Sequence, residues 1–125
     1  MAKILFIEDD PLLVKIYSTR LSQDGFEVLS AENGEAGLQV AETQVPDLIV
    51  LDIMMPRLDG FSVLEKLRTS EKTKNTPILV YSNLGQEDEI ARAKKMGATD
   101  FIIKANLSPT EMIAKIKEYL PKSVQ

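Results

Sequence analysis

Asp47-Leu48-Ile49-Val50-Leu51-Asp52 decides the fold of this chain, because it contains an apolar run that ends on a carboxylate. Three further apolar runs also end on polar side chains: Lys3–Ile7 before the carboxylates of Glu8-Asp9-Asp10, Pro77–Tyr81 before the hydroxyl of Ser82, and Asp100–Ile103 before the ammonium of Lys104. Short continuous apolar runs between helical patterns are typical of strands buried on both faces of a parallel sheet. The chain is therefore predicted to form such a sheet, with a polar residue at the carboxyl end of each of these strands.

Helical patterns separate the strands and set the order of the fold. Asp10-Pro11 starts the first helix with a capping side chain and a proline at the first helical position. Ser108-Pro109-Thr110-Glu111 starts the last helix with a capping box, and Glu27–Ala31 is a further predicted strand. Five alternating strand–helix units predict an α/β fold. The expected form is a (βα)5 three-layer sandwich with a flavodoxin-like, doubly wound parallel sheet of order 2-1-3-4-5.

The composition is that of an ordinary globular domain and excludes several kinds of site. The formal net charge of −4 over 125 residues disfavours a general nucleic-acid binder. Without histidine or cysteine there can be no Ser-His or Cys-His pair, no usual zinc site, no disulfide and no phosphohistidine. No apolar stretch is long enough for a membrane span, and no targeting segment is expected before the first strand. We expect residues 1–125 to be a single cytoplasmic domain with no output domain.

The polar strand ends form the candidate site, because ligands bind where the carboxyl ends of parallel strands meet. Glu8 and Asp9 repel each other, a cation relieves that repulsion, and Mg²⁺ prefers oxygen ligands. Asp52 ends the central strand, where it is either a metal ligand or a nucleophile towards phosphorus. Lys104 and Ser82 supply an ammonium and a hydroxyl suited to a phosphoryl group. Taken singly, each of these residues is more simply a helix cap or a solvated side chain, and only their convergence indicates a site.

Three motifs resemble the receiver domain of two-component response regulators, and the resemblance covers essentially the whole chain. They are Phe6-Ile7-Glu8-Asp9-Asp10, Leu51-Asp52-Ile53-Met54-Met55-Pro56-Arg57-Leu58-Asp59-Gly60 and Gly97-Ala98-Thr99-Asp100-Phe101-Ile102-Ile103-Lys104. The resemblance to stand-alone, chemotaxis-type regulators implies that Asp52 is the phospho-acceptor. It implies that Mg²⁺ is held by the side chains of Glu8, Asp9 and Asp52 and by the backbone carbonyl of Met54.

The same resemblance assigns the phosphoryl contacts and the signal. Ser82 and Lys104 would contact the phosphoryl group, Ser82 and Phe101 would form the switch, and the surface of residues 87–120 would carry the signal. The chain would be a signalling switch that catalyses its own phosphorylation and dephosphorylation, not a turnover enzyme.

Expected partners also follow from the resemblance. A histidine kinase or a histidine phosphotransfer protein would supply the phosphoryl group, and a downstream protein target would recognise the phosphorylated form. No direct contact with nucleic acid or membrane is expected. The chain is expected to be a monomer or a weak phosphorylation-dependent dimer.

The sequence departs from the family pattern beside the acceptor. Ala105 follows Lys104 where the family usually has proline, often after a cis peptide; a cis bond before a non-proline residue is costly, so this loop is predicted to be trans. Asn83 stands where the family usually has a small residue and is expected to cover part of the site. Met54 and Leu84 are apolar positions flanking the acceptor, and they are expected to shield a phosphoryl group from water.

The sequence is also compatible with other functions found in proteins of this architecture. A flavin- or nucleotide-binding domain is disfavoured, because Glu8-Asp9-Asp10 stands where a glycine-rich phosphate loop would lie. A metal-dependent phosphatase with Asp52 as nucleophile would need a second acid and a substrate cap, and no inserted segment is long enough for a cap. A receiver excised from a longer protein is a third alternative.

Overall fold

The computed structural model describes residues 2–54, 59–83 and 85–121. Met55 to Leu58, which belong to the Leu51–Gly60 motif, and Leu84 lie outside the described residues. Strands and helices alternate along the chain: β1 Lys3–Ile7, α1 Pro11–Gln23, β2 Glu27–Ala31, α2 Gly34–Gln44, β3 Leu48–Asp52, α3 Gly60–Thr69, β4 Ile78–Ser82, α4 Glu87–Lys95, β5 Asp100–Ile103 and α5 Pro109–Tyr119. Within these ranges no helix is long and apolar enough to cross a membrane.

The described strands form one parallel sheet in the order β2-β1-β3-β4-β5, as predicted. Its central strands are buried on both faces, and β3 has no exposed residue from Leu48 to Asp52. One face packs against α2, α3 and α4 through residues such as Leu64 and Ala93. The other face, called here the α1/α5 face, packs against Tyr17 of α1 and Ile116 of α5. The apolar runs of the sequence therefore form the middle layer of a three-layer sandwich.

Two strands extend one residue further than the apolar runs suggest. Asp52 and Ser82 are the last residues of β3 and β4, so they lie within the sheet instead of following it. Asp52 is paired in register with Tyr81, and Ser82 with Ile103. The strands extend because backbone hydrogen bonding between neighbouring strands does not depend on side-chain type and continues past the last apolar residue. This pairing fixes the backbone of both polar residues.

Local structure fixes the segments that follow β1 and β3. The Asp10 side chain accepts hydrogen bonds from the backbone N–H groups of Leu12 (3.0 Å) and Leu13 (3.4 Å), which confirms it as the cap of α1. The first residue of α3, Gly60, lies so close to Ile53 that an added Cβ would overlap the Ile53 backbone. Only glycine permits this approach, so α3 begins directly against the residue after Asp52.

The segment after β5 is a single 3₁₀ turn, Lys104–Asn106. No peptide bond is cis in the described part of the chain, so the bond between Lys104 and Ala105 is trans, as predicted. Helix α5 follows with the expected capping box, in which Ser108 and Glu111 exchange side-chain and backbone hydrogen bonds. The turn leaves Lys104 at the edge of the sheet, close to the ends of β1 and β3.

Candidate functional site

The polar ends of β1 and β3 converge with Lys104, as predicted, in an open depression of about 420 Å³ at one edge of the sheet, whereas Ser82 at the end of β4 is not part of its lining. Its lining combines acidic, basic and amide side chains: Glu8, Asp9, Asp10, Pro11, Asp52, Met54, Asn83 and Lys104. Every predicted acidic residue of the site therefore lies here, together with the predicted lysine. Asn83 is exposed and lines the same depression.

Asp52 is held at the floor of this depression by two donors. Only 2% of the residue is exposed. Its Oδ1 accepts a hydrogen bond from the backbone N–H of Met54 (2.8 Å), and its Oδ2 accepts one from Lys104 Nζ (3.1 Å). The carboxylate is thus fixed in position and faces an ammonium group.

Lys104 bridges Asp52 to a second buried carboxylate, that of Glu8. Lys104 Nζ lies 3.2 Å from Glu8 Oε1 and 3.4 Å from Oε2. Glu8 is 3% exposed as a residue. Buried carboxylates are tolerated when paired and hydrogen-bonded, and one ammonium serves both here.

The acidic groups form a cluster whose chemistry fits a hard divalent cation. Glu8, Asp9 and Asp52 each have a carboxylate oxygen within 4.8 Å of the others. Asp9 is exposed, so a hydrated ion can reach the cluster from solvent. With all groups ionised, three carboxylates face one ammonium, and the excess negative charge favours cation binding. Oxygen-only donors with access to water are what Mg²⁺ prefers.

The pKa values at the site reflect burial and this crowding of charge. Burial, followed by the proximity of Asp52, raises the pKa of Glu8 to about 8, although Lys104 opposes the shift. For Lys104, burial lowers the pKa, but the Asp52 and Glu8 carboxylates outweigh that effect and leave it raised. Without a metal ion, ionisation of Glu8 therefore costs free energy, whereas Lys104 stays protonated.

We expect the metal-free protein to lose stability as pH rises from about 5 to about 8 because of Glu8. A carboxyl whose pKa is raised in the folded state binds its proton more tightly there than in the unfolded chain. Its stabilising contribution is complete below the unfolded pKa and disappears as pH passes the folded pKa near 8. Urea unfolding in EDTA across this range measures the slope.

Glu8→Gln should flatten that slope, and Glu65→Gln, at an exposed position of α3, should leave it unchanged. A wild-type slope of the opposite sign, or one insensitive to Glu8→Gln, would show that Glu8 ionises normally in the folded protein.

Ser82 and Phe101 do not line the depression but lie next to it within the sheet. Ser82 is fully buried at the end of β4. By strand alternation it points to the same side as Val80, which belongs to the core against α2, α3 and α4. Phe101 is half-buried on β5, pairs in register with Val80 and packs against that same core. Both predicted switch residues thus share the face of the sheet that α4 covers.

Tyr81 also belongs to the site, although no sequence motif indicates a role for it. The residue is 1% exposed, and its ring centroid lies 4.4 Å from Lys104 Nζ. The available signal was a phenol within the otherwise apolar run that ends at Ser82. The strand pattern alone does not say which neighbouring side chain meets that ring.

A family model described as the response regulator receiver domain matches residues 4–117. This chain belongs to that family. The fold, the five-stranded order and the acidic cluster at the sheet edge are those of a receiver domain of two-component systems.

Relatives and solved structures agree with the assignment. The chain is 38% identical over 121 residues to the probable transcriptional regulator ycf27 of Pyropia yezoensis, which covers 97% of this chain and 48% of that protein. It is 36% identical over 123 residues to the DNA-binding dual master transcriptional regulator RpaA of Synechocystis sp., covering 98% and 51%. The structure of chemotaxis protein CheY4 of Vibrio cholerae superposes with a TM-score of 0.89 at 28% identity, covering 96% and 99%. The chain spans about half the length of the curated relatives it matches.

Proposed function

We propose that this receiver domain accepts a phosphoryl group on Asp52 from a phosphohistidine partner, in a Mg²⁺-dependent reaction that changes its contacts with other proteins. The observation that carries the proposal is the setting of Asp52. Its carboxylate is buried, fixed by Met54 N–H and Lys104 Nζ, and grouped with Glu8 and Asp9 in an open depression.

Glu8, Asp9 and Asp52, with the backbone carbonyl of Met54, are the proposed ligands of Mg²⁺. Bound there, the ion neutralises negative charge on the carboxylates and on phosphoryl oxygens. The residues fit this role because their donors are oxygens and their excess charge is negative.

The chain's own groups supply the rest of the chemistry. An Asp52 carboxylate oxygen attacks phosphorus, a new O–P bond forms, and the bond from phosphorus to the donor's nitrogen breaks with its electron pair staying on nitrogen. The product is an acyl phosphate. Lys104 Nζ already lies 3.1 Å from Asp52 Oδ2, which places a cation where charge accumulates on a phosphoryl group attached there. Ser82, at the end of the adjacent strand, is the proposed hydroxyl donor to a phosphoryl oxygen.

Incubation of the purified chain with acetyl phosphate and Mg²⁺ tests this function. We expect the intact mass to increase by one acid-labile phosphate, and no labelling when EDTA replaces Mg²⁺. Asp9→Asn should need a higher Mg²⁺ concentration for the same labelling, because one of three carboxylates of the cluster is lost. Metal-independent labelling, or equal Mg²⁺ dependence in wild type and Asp9→Asn, would contradict the proposed metal site.

Ser82 and Phe101 are the proposed route by which phosphorylation is transmitted. The Ser82 hydroxyl gains a new acceptor when Asp52 carries phosphate, and its movement vacates space on the face that Phe101 shares. Phe101 is half-buried, and its ring has no hydroxyl that would need a partner on moving inwards.

Fluorine NMR of fluorophenylalanine-labelled protein tests this route, with the Phe101 signal assigned through Phe101→Leu. We expect the Phe101 signal to shift when an aspartyl-phosphate mimic is added, and the signal of fully buried Phe6 on the opposite face to shift less. An unmoved Phe101 signal together with shifts elsewhere in residues 87–120 would mean that the signal follows another path.

The proposed partners follow from the receiver chemistry. Because these 125 residues contain no histidine, the phosphohistidine is proposed to lie outside them, on a kinase or a phosphotransfer protein. The output is proposed to be a phosphorylation-dependent contact through residues 87–120, with the chain monomeric or weakly dimeric. DNA binding is a property stated for RpaA, a protein of which this chain matches about half.

A further inference from the structure

Tyr81 lies directly beneath the acceptor site on the α1/α5 face of the sheet. It is paired in register with Asp52 on the neighbouring strand, so the two side chains leave the sheet on the same side. Its ring is buried in the core of that face together with Phe6 and Tyr17. The ring therefore cannot turn away into solvent, and it presents a fixed aromatic surface to the site.

The side of this ring that faces the site is occupied by the Lys104 ammonium, 4.4 Å from the ring centroid. A cation at this distance from an aromatic face is attracted by the ring quadrupole, most strongly where water is excluded. The 3₁₀ turn that begins at Lys104 has no side-chain cap, and Ala105 and Asn106 are exposed. Three groups thus hold the ammonium: the Glu8 carboxylate, the Asp52 carboxylate and the Tyr81 ring.

The Tyr81 hydroxyl is buried and has no hydrogen-bond partner in the described part of the chain. Burial raises the pKa of this phenol, and the neighbouring Glu8 and Asp52 carboxylates raise it further. No acceptor in the described residues meets this hydroxyl with hydrogen-bond geometry. A buried donor without a partner is rare and requires a physical explanation. Lys104, which donates to Glu8 in this structure, would turn towards the oxygens of a phosphoryl group on Asp52. Glu8 would then need another donor.

We propose that Tyr81 is a positioning residue of the acceptor site. Its ring holds the Lys104 ammonium beside Asp52, and its hydroxyl donates to Glu8 when that ammonium turns to the phosphoryl group. The proposal rests on the proposed function, because it needs a phosphoryl group on Asp52. It assigns separate roles to the ring and to the hydroxyl, which two substitutions separate.

NMR of the metal-free protein tests the ring. In wild type and Tyr81→Phe, the ε-methylene protons of Lys104 should resonate upfield of those of the other lysines, owing to the ring current. In Tyr81→Leu this displacement should vanish. Phe6→Leu, which removes another buried ring from the same core, should preserve it. An ordinary Lys104 shift in wild type would overturn the placement of the ammonium whether or not Tyr81→Leu folds.

Phosphorylation by acetyl phosphate with Mg²⁺ tests the consequence. Tyr81→Leu should lower the maximal rate about tenfold, because a displaced catalytic group loses its alignment. Tyr81→Phe should recover most of that loss and stay about threefold below wild type, for want of one hydrogen bond. The acetyl phosphate concentration that gives the half-maximal rate should change little in either Tyr81 variant. Phe6→Leu should leave the maximal rate near that of wild type. Wild-type labelling with an unaffected Tyr81→Leu would overturn this proposal alone. Absence of labelling in wild type would overturn the proposed function and this proposal with it.

Discussion

Asp52→Asn is expected to abolish phosphate uptake completely while leaving the protein folded. An amide is not a nucleophile towards phosphorus, and no other carboxylate in the depression shares the two donors that fix Asp52. The amide oxygen introduced by this substitution can still accept from Met54 N–H, and Lys104 keeps Glu8 as its partner. The unfolding free energy should therefore stay within about 1 kcal/mol of wild type. Intact-mass measurement and urea unfolding give the two results.

Asp10→Asn is the matched control for this substitution. Asp10 lines the same depression but is exposed and serves as the cap of α1, a role that asparagine fills equally well. The control should gain one phosphate at close to the wild-type rate. Residual labelling of Asp52→Asn would show that another residue accepts the phosphoryl group. Loss of labelling in both variants would show that the effect is not specific to Asp52 and follows from the loss of any carboxylate in the depression.

Most of the fold could be predicted from the sequence, because local patterns and global architecture agree. Apolar runs mark the buried strands, and parallel topology then brings their ends to one edge whatever the side-chain details. Capping residues such as Asp10 and Ser108 also mark the helix starts correctly, because each accepts hydrogen bonds from backbone N–H groups of the turn that it begins. Val45 shows the limit of local rules. It adopts φ 44 at the end of α2, in a left-handed conformation that β-branched residues disfavour.

The candidate site could be predicted as a set of residues but not as a network. Residue type and strand position place Glu8, Asp52 and Lys104 at one edge. They do not reveal that the lysine bridges both carboxylates. Side-chain packing across strands distant in sequence determines that contact, and it also brings the Tyr81 ring against the ammonium. Such contacts have no periodic signature, so pattern analysis cannot supply them.

The bridging arrangement predicts a large loss of stability in Lys104→Met. The substitution roughly preserves the length and apolar stem of the side chain but leaves the two buried carboxylates, Glu8 and Asp52, without their shared cation. Removing one partner of a buried ion pair costs about 3 kcal/mol or more. We expect that loss in urea unfolding at about pH 8 in EDTA. It should be smaller near pH 5 because Lys104 lowers the Glu8 pKa, so that without it Glu8 binds a proton more readily.

Mg²⁺ should reverse part of this loss, and more strongly in the variant than in wild type. In wild type the ammonium already neutralises part of the negative charge that attracts the metal ion, whereas in Lys104→Met the ion has no such competitor. A ligand that binds only the folded state raises the free energy of unfolding by RT ln(1 + [L]/Kd), so tighter Mg²⁺ binding gives a larger increase. Lys115→Met is the control, since Lys115 pairs with Asp100 at 3.7 Å on a partly exposed surface. It should cost less than about 1 kcal/mol and respond to Mg²⁺ like wild type. A Lys104→Met loss no larger than that of Lys115→Met would mean that the two buried carboxylates do not depend on this lysine for their charge balance.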